Sequence, residues 1–582
     1  MAPPSASSAH LLVVLHGLWG SPSHVRYIGE SALKHHAEAA ASDDDKPPPC
    51  KLVVLNAKLN EFTNTYDGID LCAERVLGEI DDELDRIERD EGLEVVKFSI
   101  VGYSLGGLVA RYVLGLLDSR TPSFFDRVEP VNFATFASPL IGIPRYDTFW
   151  SGVFRFLGAR LLSRSGAQLY EHDRFLPSRF NPSSPEYSAS SADNNDASNE
   201  RRSWFGKKKE KKRREQAEPL LKVLADPHFS FYRALAKFQR IEVFANAVND
   251  RTVPFPTGAF ELHDPFALAR AKARKAAQDR GDDPDGDLDL KDGGLELVLH
   301  DDAPIVASYR VVEQLEAKTT TSSRRTRWFN VRLPLLLRPT TYPFSRPVSI
   351  VVIALLPIAV PLSVAFLIAR FLVQGRDSKR RIREWREKTD ATTMTGGGGG
   401  GGTRAKGRGR EGMLERVGVR VREVAEQVGT DNPEYAENLS SSTSADDDDE
   451  EAEEGEEAWT NPVGSTTTSG ESTPTLLRGG SPPRNLSHNN NDDDDNTTTR
   501  TRTEGEAADH DRKVFPNTDP VLTASQRFQL ENLNRLDRLR KHFVYLPESR
   551  NSHGAIVRRS PEWEQHRIGT KVVDFWAREF VF

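Results

Sequence analysis

At 582 residues the chain has the length of about four average domains, but its composition lowers that number. Hydrophobic residues make up 37% and glycine adds 41 positions, slightly under the globular norm, so part of the chain does not pack. The 78 basic and 86 acidic side chains leave a net charge of −8 and are segregated into blocks, which excludes the basic excess expected of a nucleic-acid binder. Two cysteines, Cys50 and Cys72, are too few for a disulfide framework. Met1 to Ser8 lacks the basic start and apolar run of a signal peptide, and a cytosol-facing protein is the expectation.

The N-terminal pattern alternates strand and helix. Leu11 to Leu15, Leu52 to Leu55 and Val95 to Val101 are short β-branched apolar runs, read as central strands of a parallel sheet buried on both faces. Between the second and third, Leu71, Val76, Leu77, Ile80, Leu84 and Ile87 fall at helical spacing over Ile69 to Arg89. Leu105 to Leu117 reads as another helix. Val131 to Phe136, Ile241 to Ala247 and Phe543 to Leu546 read as further strands, and Gly569 to Phe580 as a closing helix. The alternation predicts an α/β fold with a mostly parallel central sheet and flanking helices, built from residues 1–265 and 521–582.

Several stretches interrupt it. Asn181 to Glu218, ending in the basic run Lys207 to Arg214, reads as a disordered insertion, its basic run a solvated loop or a contact for anionic lipid heads. Residues 266–330 read as a charged, irregular connection. Residues 375–520 hold a glycine tract, an acidic block and an Asn/Asp tract and read as low-complexity and disordered. Inside them Leu414, Val417, Val421, Val424 and Val428 are spaced for a short amphipathic helix on a partner or membrane.

Residues 331–374 contain the chain's most apolar segment. Val348 to Ala369 spans 22 residues without a charge, enough for a helix to cross about 30 Å of hydrocarbon. Pro357 and Pro361 sit at its centre, where they kink or break a helix. Arg332, Arg338 and Arg346 precede it and Arg370, Arg376, Lys379, Arg380 and Arg381 follow it, so the positive-inside rule prefers the same side for both ends. A hairpin-like anchor in a membrane or lipid-droplet monolayer satisfies both features, ahead of a spanning helix or a buried core helix.

The chemistry is concentrated at strand ends. Gly102-Tyr103-Ser104-Leu105-Gly106 follows a predicted strand and opens a predicted helix, the context of a nucleophile elbow in which Gly102 and Gly106 make room for a strained Ser104. His16-Gly17-Leu18-Trp19-Gly20 follows the first strand, where a loop can cover the nucleophile. The backbone N–H groups of Leu18 and Leu105 are the candidate oxyanion donors. His16 is a possible base, but in this fold the order along the chain is serine, acid, histidine, which favours a loop-shaping role. Asp250, directly after the strand Ile241 to Ala247, is the candidate acid. The base then follows it, among His263, His300, His488, His510, His542, His553 and His566. His553 lies in the loop after the last strand, where the fold places its histidine, with His263 as its main rival.

These residues resemble the fungal putative serine esterases of the α/β-hydrolase superfamily, which include lipid-droplet phospholipases and monoacylglycerol lipases. The resemblance rests on HGLWG (16–20), NTYDGID (64–70), GYSLGGLVARY (102–112), TFASP (135–139), FANAVNDRTVPF (244–255) and NSHGAIVRR (551–559). It implies an α/β-hydrolase fold and the roles of nucleophile, acid and base for Ser104, Asp250 and His553. The family usually continues TFASP with His-Leu-Gly; here Leu140-Ile141-Gly142 stands instead, which leaves the triad residues unchanged.

The expectation is a cytosol-facing, membrane-associated serine lipase or phospholipase on a lipid droplet or the endoplasmic reticulum. It cleaves acyl esters of glycerolipids or phospholipids and needs no metal or cofactor. The alternatives are an acyl-protein thioesterase or inositol deacylase on the same triad, or a non-catalytic lipid-surface scaffold. Because Ser104 and Asp250 precede the apolar segment and His553 follows it, a single membrane crossing would separate the triad.

Overall fold

The computed structural model describes residues 8–41, 50–175, 217–281, 289–312, 346–395, 515 and 518–582. Strands β1 (Ser8–Leu15), β2 (Lys51–Asn56), β3 (Glu94–Tyr103), β4 (Glu129–Phe136), β5 (Arg240–Asn246) and β8 (Leu539–Val544) form one parallel sheet in the order β2-β1-β3-β4-β5-β8. The apolar runs sit at its centre because both faces are covered. On one face α2 (Ile69–Arg86) and α3 (Leu105–Asp118) bury Cys72, Val76, Ile80, Leu108 and Val113 against Leu11, Val13 and Ile100. On the other, α1 (Arg26–Ala41) and α8 (Gly569–Arg578) bury Ile28, Val572 and Trp576 against Leu12, Val14, Val101 and Phe136. This is the α/β-hydrolase arrangement expected, a mostly parallel sheet with flanking helices; α4 (Phe149–Leu161) and α5 (Ser163–Leu169) follow β4. The last strand begins at Leu539, four residues before the apolar run that signals it, because Arg540, Lys541 and His542 pair in register with β5 on the sheet edge.

Three expectations change. The connection after residue 265 is not irregular: it contains α6 (Pro265–Arg280) and an antiparallel hairpin of β6 (Leu295–Leu299) and β7 (Val306–Val311). The buried face of α6 is Phe266, Ala269, Ala273 and Ala277, a stripe too small to stand out as hydrophobic. Its ends are marked nonetheless, by the Asp264 side chain accepting from Ala267 N–H at 2.8 Å and by Gly281 in the left-handed region.

The apolar segment is not a hairpin. It is the first half of a single helix, α7 (Arg346–Thr395), 50 residues long, which runs on through Pro357 and Pro361. Two prolines four residues apart lie on the same face, so the two backbone hydrogen bonds they remove are lost on one side of the helix. By length and composition alone, α7 holds within Pro357–Trp385 an apolar window that would suffice to cross a membrane. The same helix overturns the expectation of disorder from Gly375: residues up to Thr395 are helical, and Ser378 is fully buried against the hydrolase body. The expected insertion at 181–218 lies almost wholly outside the described residues, with only its last residues, Ala217 and Glu218, inside them. The amphipathic segment at 414–428 and the acidic block also lie outside.

Candidate active site

The C-terminal ends of β1, β3, β4, β5 and β8 open on one edge of the sheet, the edge where parallel α/β sheets bind ligands. β3 ends at Tyr103, and Ser104 follows with φ 54° and ψ −124°, a strained conformation for a residue with a side chain. The turn is this tight because its glycines carry nothing. A Cβ on Gly102 would lie 2.3 Å from the Gly107 nitrogen, and one on Gly106 would lie 2.5 Å from the Leu15 carbonyl oxygen. The strained residue is pinned from two sides. Ser104 N–H donates to Phe136 O at 2.9 Å, and the Ser138 hydroxyl donates to Ser104 O at 2.7 Å.

His553 Nε2 lies 3.1 Å from Ser104 Oγ, and His553 Nδ1 lies 3.0 Å from Asp250 Oδ2. Both side chains of the His–Asp pair are shielded from water, 9% and 2% exposed. Burial alone would push the Asp250 carboxyl up, but the adjacent His553, the Val253 N–H and the Asn246 amide outweigh it and hold the carboxyl below its ordinary value. Asp250 is therefore ionised and only accepts, so Nδ1 carries the proton and Nε2 is left to accept from the Ser104 hydroxyl. Asp250 is itself held by Thr252 N–H, Val253 N–H and Asn246 Nδ2, each at 2.8 Å. His553 is seated by the Tyr103 hydroxyl, which donates to its carbonyl at 3.0 Å, and by the Tyr103 ring 5.2 Å from the imidazole.

The loop after β1 closes over the serine. A Cβ on Gly17 would lie 2.7 Å from Ser104 Cβ, so the backbone carrying Leu18 passes directly above it. Leu105 is the first residue of α3, and its N–H has no acceptor within the helix. The two rival histidines are elsewhere engaged. The His16 ring is buried with Nδ1 3.0 Å from Gly17 O, and burial lowers its pKa. His263 lies at the surface, its Nδ1 2.8 Å from Asp519 Oδ2. Among the described residues no group of three or more His, Cys, Asp or Glu side chains is arranged to hold a metal ion.

Sequence reading did not single out Asn246, Tyr103 or Ser138 as supports. Asn246 stands four residues before Asp250 at the end of β5, a polar residue closing an apolar strand, and Ser138 is the polar member of TFASP. Those were the available signals.

An elbow serine, a buried histidine and an ionised aspartate in hydrogen-bonded series form the constellation common to serine hydrolases on several folds. Residues 5–263 match the family described as putative serine esterase (DUF676). That esterase-family segment contains Ser104 and Asp250, whereas His553 lies beyond it. Among curated proteins the chain is 24% identical over 259 residues to the putative lipase C4A8.10 of Schizosaccharomyces pombe, covering 44% of this chain and 27% of that protein. It is 27% identical over 257 residues to the putative lipase ROG1 of Saccharomyces cerevisiae, covering 44% of this chain and 29% of that protein. The match thus spans less than a third of the length of these relatives. Among solved structures, an extracellular α/β-hydrolase from a Paenibacillus species aligns with 14% identity and a TM-score of 0.19 over 43% of this chain and 82% of its own. The fold rests on the strand order and the two helical layers described above.

Proposed function

We propose that this chain is a serine esterase that hydrolyses acyl esters of glycerolipids, phospholipids included, at a lipid surface. The observation that carries the reading is the unbroken series Ser104 Oγ, His553 Nε2, His553 Nδ1, Asp250 Oδ2 at 3.1 and 3.0 Å, assembled from residues up to 449 positions apart in the chain.

In this mechanism Ser104 Oγ attacks the ester carbonyl while His553 Nε2 takes its proton. Asp250 keeps the imidazole in the tautomer that can accept that proton and stabilises the cation that forms. The Leu18 and Leu105 N–H groups receive the oxyanion; losing one such donor costs about 10²–10³ in rate. The imidazolium returns its proton to the leaving alcohol. Water, deprotonated by His553, then cleaves the acyl-enzyme and regenerates Ser104.

The lipid surface is inferred from α7. Every side chain from Pro357 to Arg370 is exposed, with Ile358 at 62%, Leu362 at 65% and Phe366 at 56%. Apolar side chains on all faces suit a solvent of lipid rather than a groove on one partner. The apolar half has the hydrolase body on both sides of it in sequence. β7 comes before, directly preceded by Ile305, which bridges to Val544 of β8, and the docked half of α7 comes after. In our reading the apolar half enters the lipid without crossing it, so that β7 and the docked half of α7 stay with the triad on one side, the cytosolic face of the endoplasmic reticulum or of a lipid droplet. The names of the fungal relatives, putative lipases, point to the same substrate class.

The test is labelling of the full chain with a fluorophosphonate on membranes and floated droplets. We expect labelling of the parent and none of Ser104→Ala, with His553→Ala reduced by several orders of magnitude. A folded parent that does not label overturns the esterase reading.

A further inference from the structure

We infer that Arg381 of α7 is a positioning residue for the oxyanion loop, so that the helix carrying the lipid-facing segment is also a structural wall of the active site. The inference rests on the esterase reading above and extends it to a part of the chain far from the catalytic residues in sequence.

The docked half of α7 grips the segment 62–67 rather than resting on it. Arg381 Nε and Nη2 reach the two Asp67 carboxylate oxygens at 3.0 and 2.8 Å, and Nη2 also donates to Thr63 O at 2.9 Å. Asp67 is completely buried and pairs with Arg75 of α2 as well, at 2.6 Å. A bidentate Arg–carboxylate pair away from water fixes angle as well as distance. Two further contacts secure the same half of the helix: Trp385 Nε1 donates to Glu74 Oε2 at 2.7 Å, and the Ser378 and Ser163 hydroxyls are 3.0 Å apart.

The gripped segment in turn holds the loop above Ser104. Trp19 N–H donates to Thr65 Oγ1 at 3.2 Å, and Trp19 Nε1 donates to the Tyr66 hydroxyl at 2.6 Å. Phe62 N–H donates to Gly20 O at 3.0 Å. Trp19 has φ 53°, a conformation an aromatic residue keeps only when its surroundings impose it, and its ring also meets Phe371 of α7 with centroids 6.1 Å apart. Trp19 directly follows Leu18, the proposed oxyanion donor. The path from Arg381 to the Leu18 N–H therefore runs through Asp67, Thr65, Tyr66 and Trp19, with Phe371 as a second, direct contact.

Oxyanion donors contribute only when aimed at the developing charge, so loosening this path lowers turnover more than substrate binding. The assay uses the full chain in detergent micelles and p-nitrophenyl butyrate, a small ester that needs no lipid surface. For Arg381→Ala we expect kcat to fall about tenfold or more, with KM within about twofold and recovery of a good part of kcat in Arg381→Lys, which keeps the charge beside Asp67. Arg75 still neutralises Asp67 in these variants, so no bare carboxylate is left in the interior. A kcat within twofold of the parent in a folded Arg381→Ala overturns the inference. If that variant does not fold, Phe371→Ala decides: it touches Trp19 without disturbing a buried charge, and an unchanged kcat there overturns the inference equally. A parent that hydrolyses the ester and labels at Ser104 while Arg381→Ala matches it refutes only this inference; a parent that does neither removes the esterase reading and this one with it.

Discussion

Gly17 and Ser104 meet so closely that one methyl group at position 17 is enough to displace the loop. An alanine at position 17 would bring its Cβ to 2.7 Å from Ser104 Cβ, well inside van der Waals contact, and the loop has to lift. We expect Gly17→Ala to lower kcat on a soluble ester by about 10²–10³, the value of a lost oxyanion donor, with the thermal midpoint changed by only a few degrees. A rate within threefold of the parent would show that the loop's height over the serine does not matter. At this scale the residues of the candidate triad stand out in the sequence because each has a local signature: glycines around Ser104, a strand end before Asp250, a strand and a helix around His553. Asn246, Tyr103 and Ser138 were not, because their roles are to hold those residues through contacts between different strand ends, and no spacing along the chain encodes a partner from another strand.

Among the elements, the strands of the sheet were readable from continuous apolar runs, whereas α6 and α7 were misread for opposite reasons. The alanine stripe of α6 is too weakly hydrophobic to register as periodic. In α7 the prolines gave a strong local signal that the long helix overrides, and the charged half looked like the start of a solvated tail. That half is fixed by Arg381, Ser378 and Trp385, whose partners at 63–74 and 163 are remote in sequence. The exposed half makes its own prediction. Leu362 and Phe366 stand one turn apart at 65% and 56% exposure. Replacing both with aspartate places two carboxylates where each costs about 3 kcal/mol in hydrocarbon. We expect co-flotation with phosphatidylcholine/phosphatidylserine vesicles to weaken by at least tenfold. Unaltered flotation would mean that this half of α7 does not enter the lipid.

The molecule as a whole is tied across its sheet by buried imidazoles, and this sets its response to acid. His10 of β1 lies 2.8 Å from the Ser99 hydroxyl of β3 and stacks on Phe580 after α8 with ring centroids 5.4 Å apart. Burial, reinforced by the charges of Lys97 and His36, lowers its pKa from 6.5 to about 3. Between those values the unfolded chain takes up a proton that the folded chain refuses. Stability is therefore complete above about pH 6.5 and declines as the pH falls toward 3, by up to about 1.4 kcal/mol per unit for this one group. His24, lowered to about 4 mainly by burial, adds to the same slope. Thermal midpoints measured from pH 7 to pH 5 should drop, and the drop should be shallower in His10→Gln. Parallel profiles for the two proteins would count against His10 as a source of the acid response.

The strand that leads to His553 is also the outermost one, paired only with β5 within the sheet. Five strands can therefore assemble before the sixth exists. At about 5–20 residues per second, the ribosome needs on the order of a minute to travel from Ser104 to a histidine 449 positions later. In our reading of the triad, a nascent chain passes through that interval with its serine made and its base missing. The apolar half of α7 is synthesised within the interval, so under the proposed function the chain would have its means of reaching a lipid surface before the means to cut an ester there.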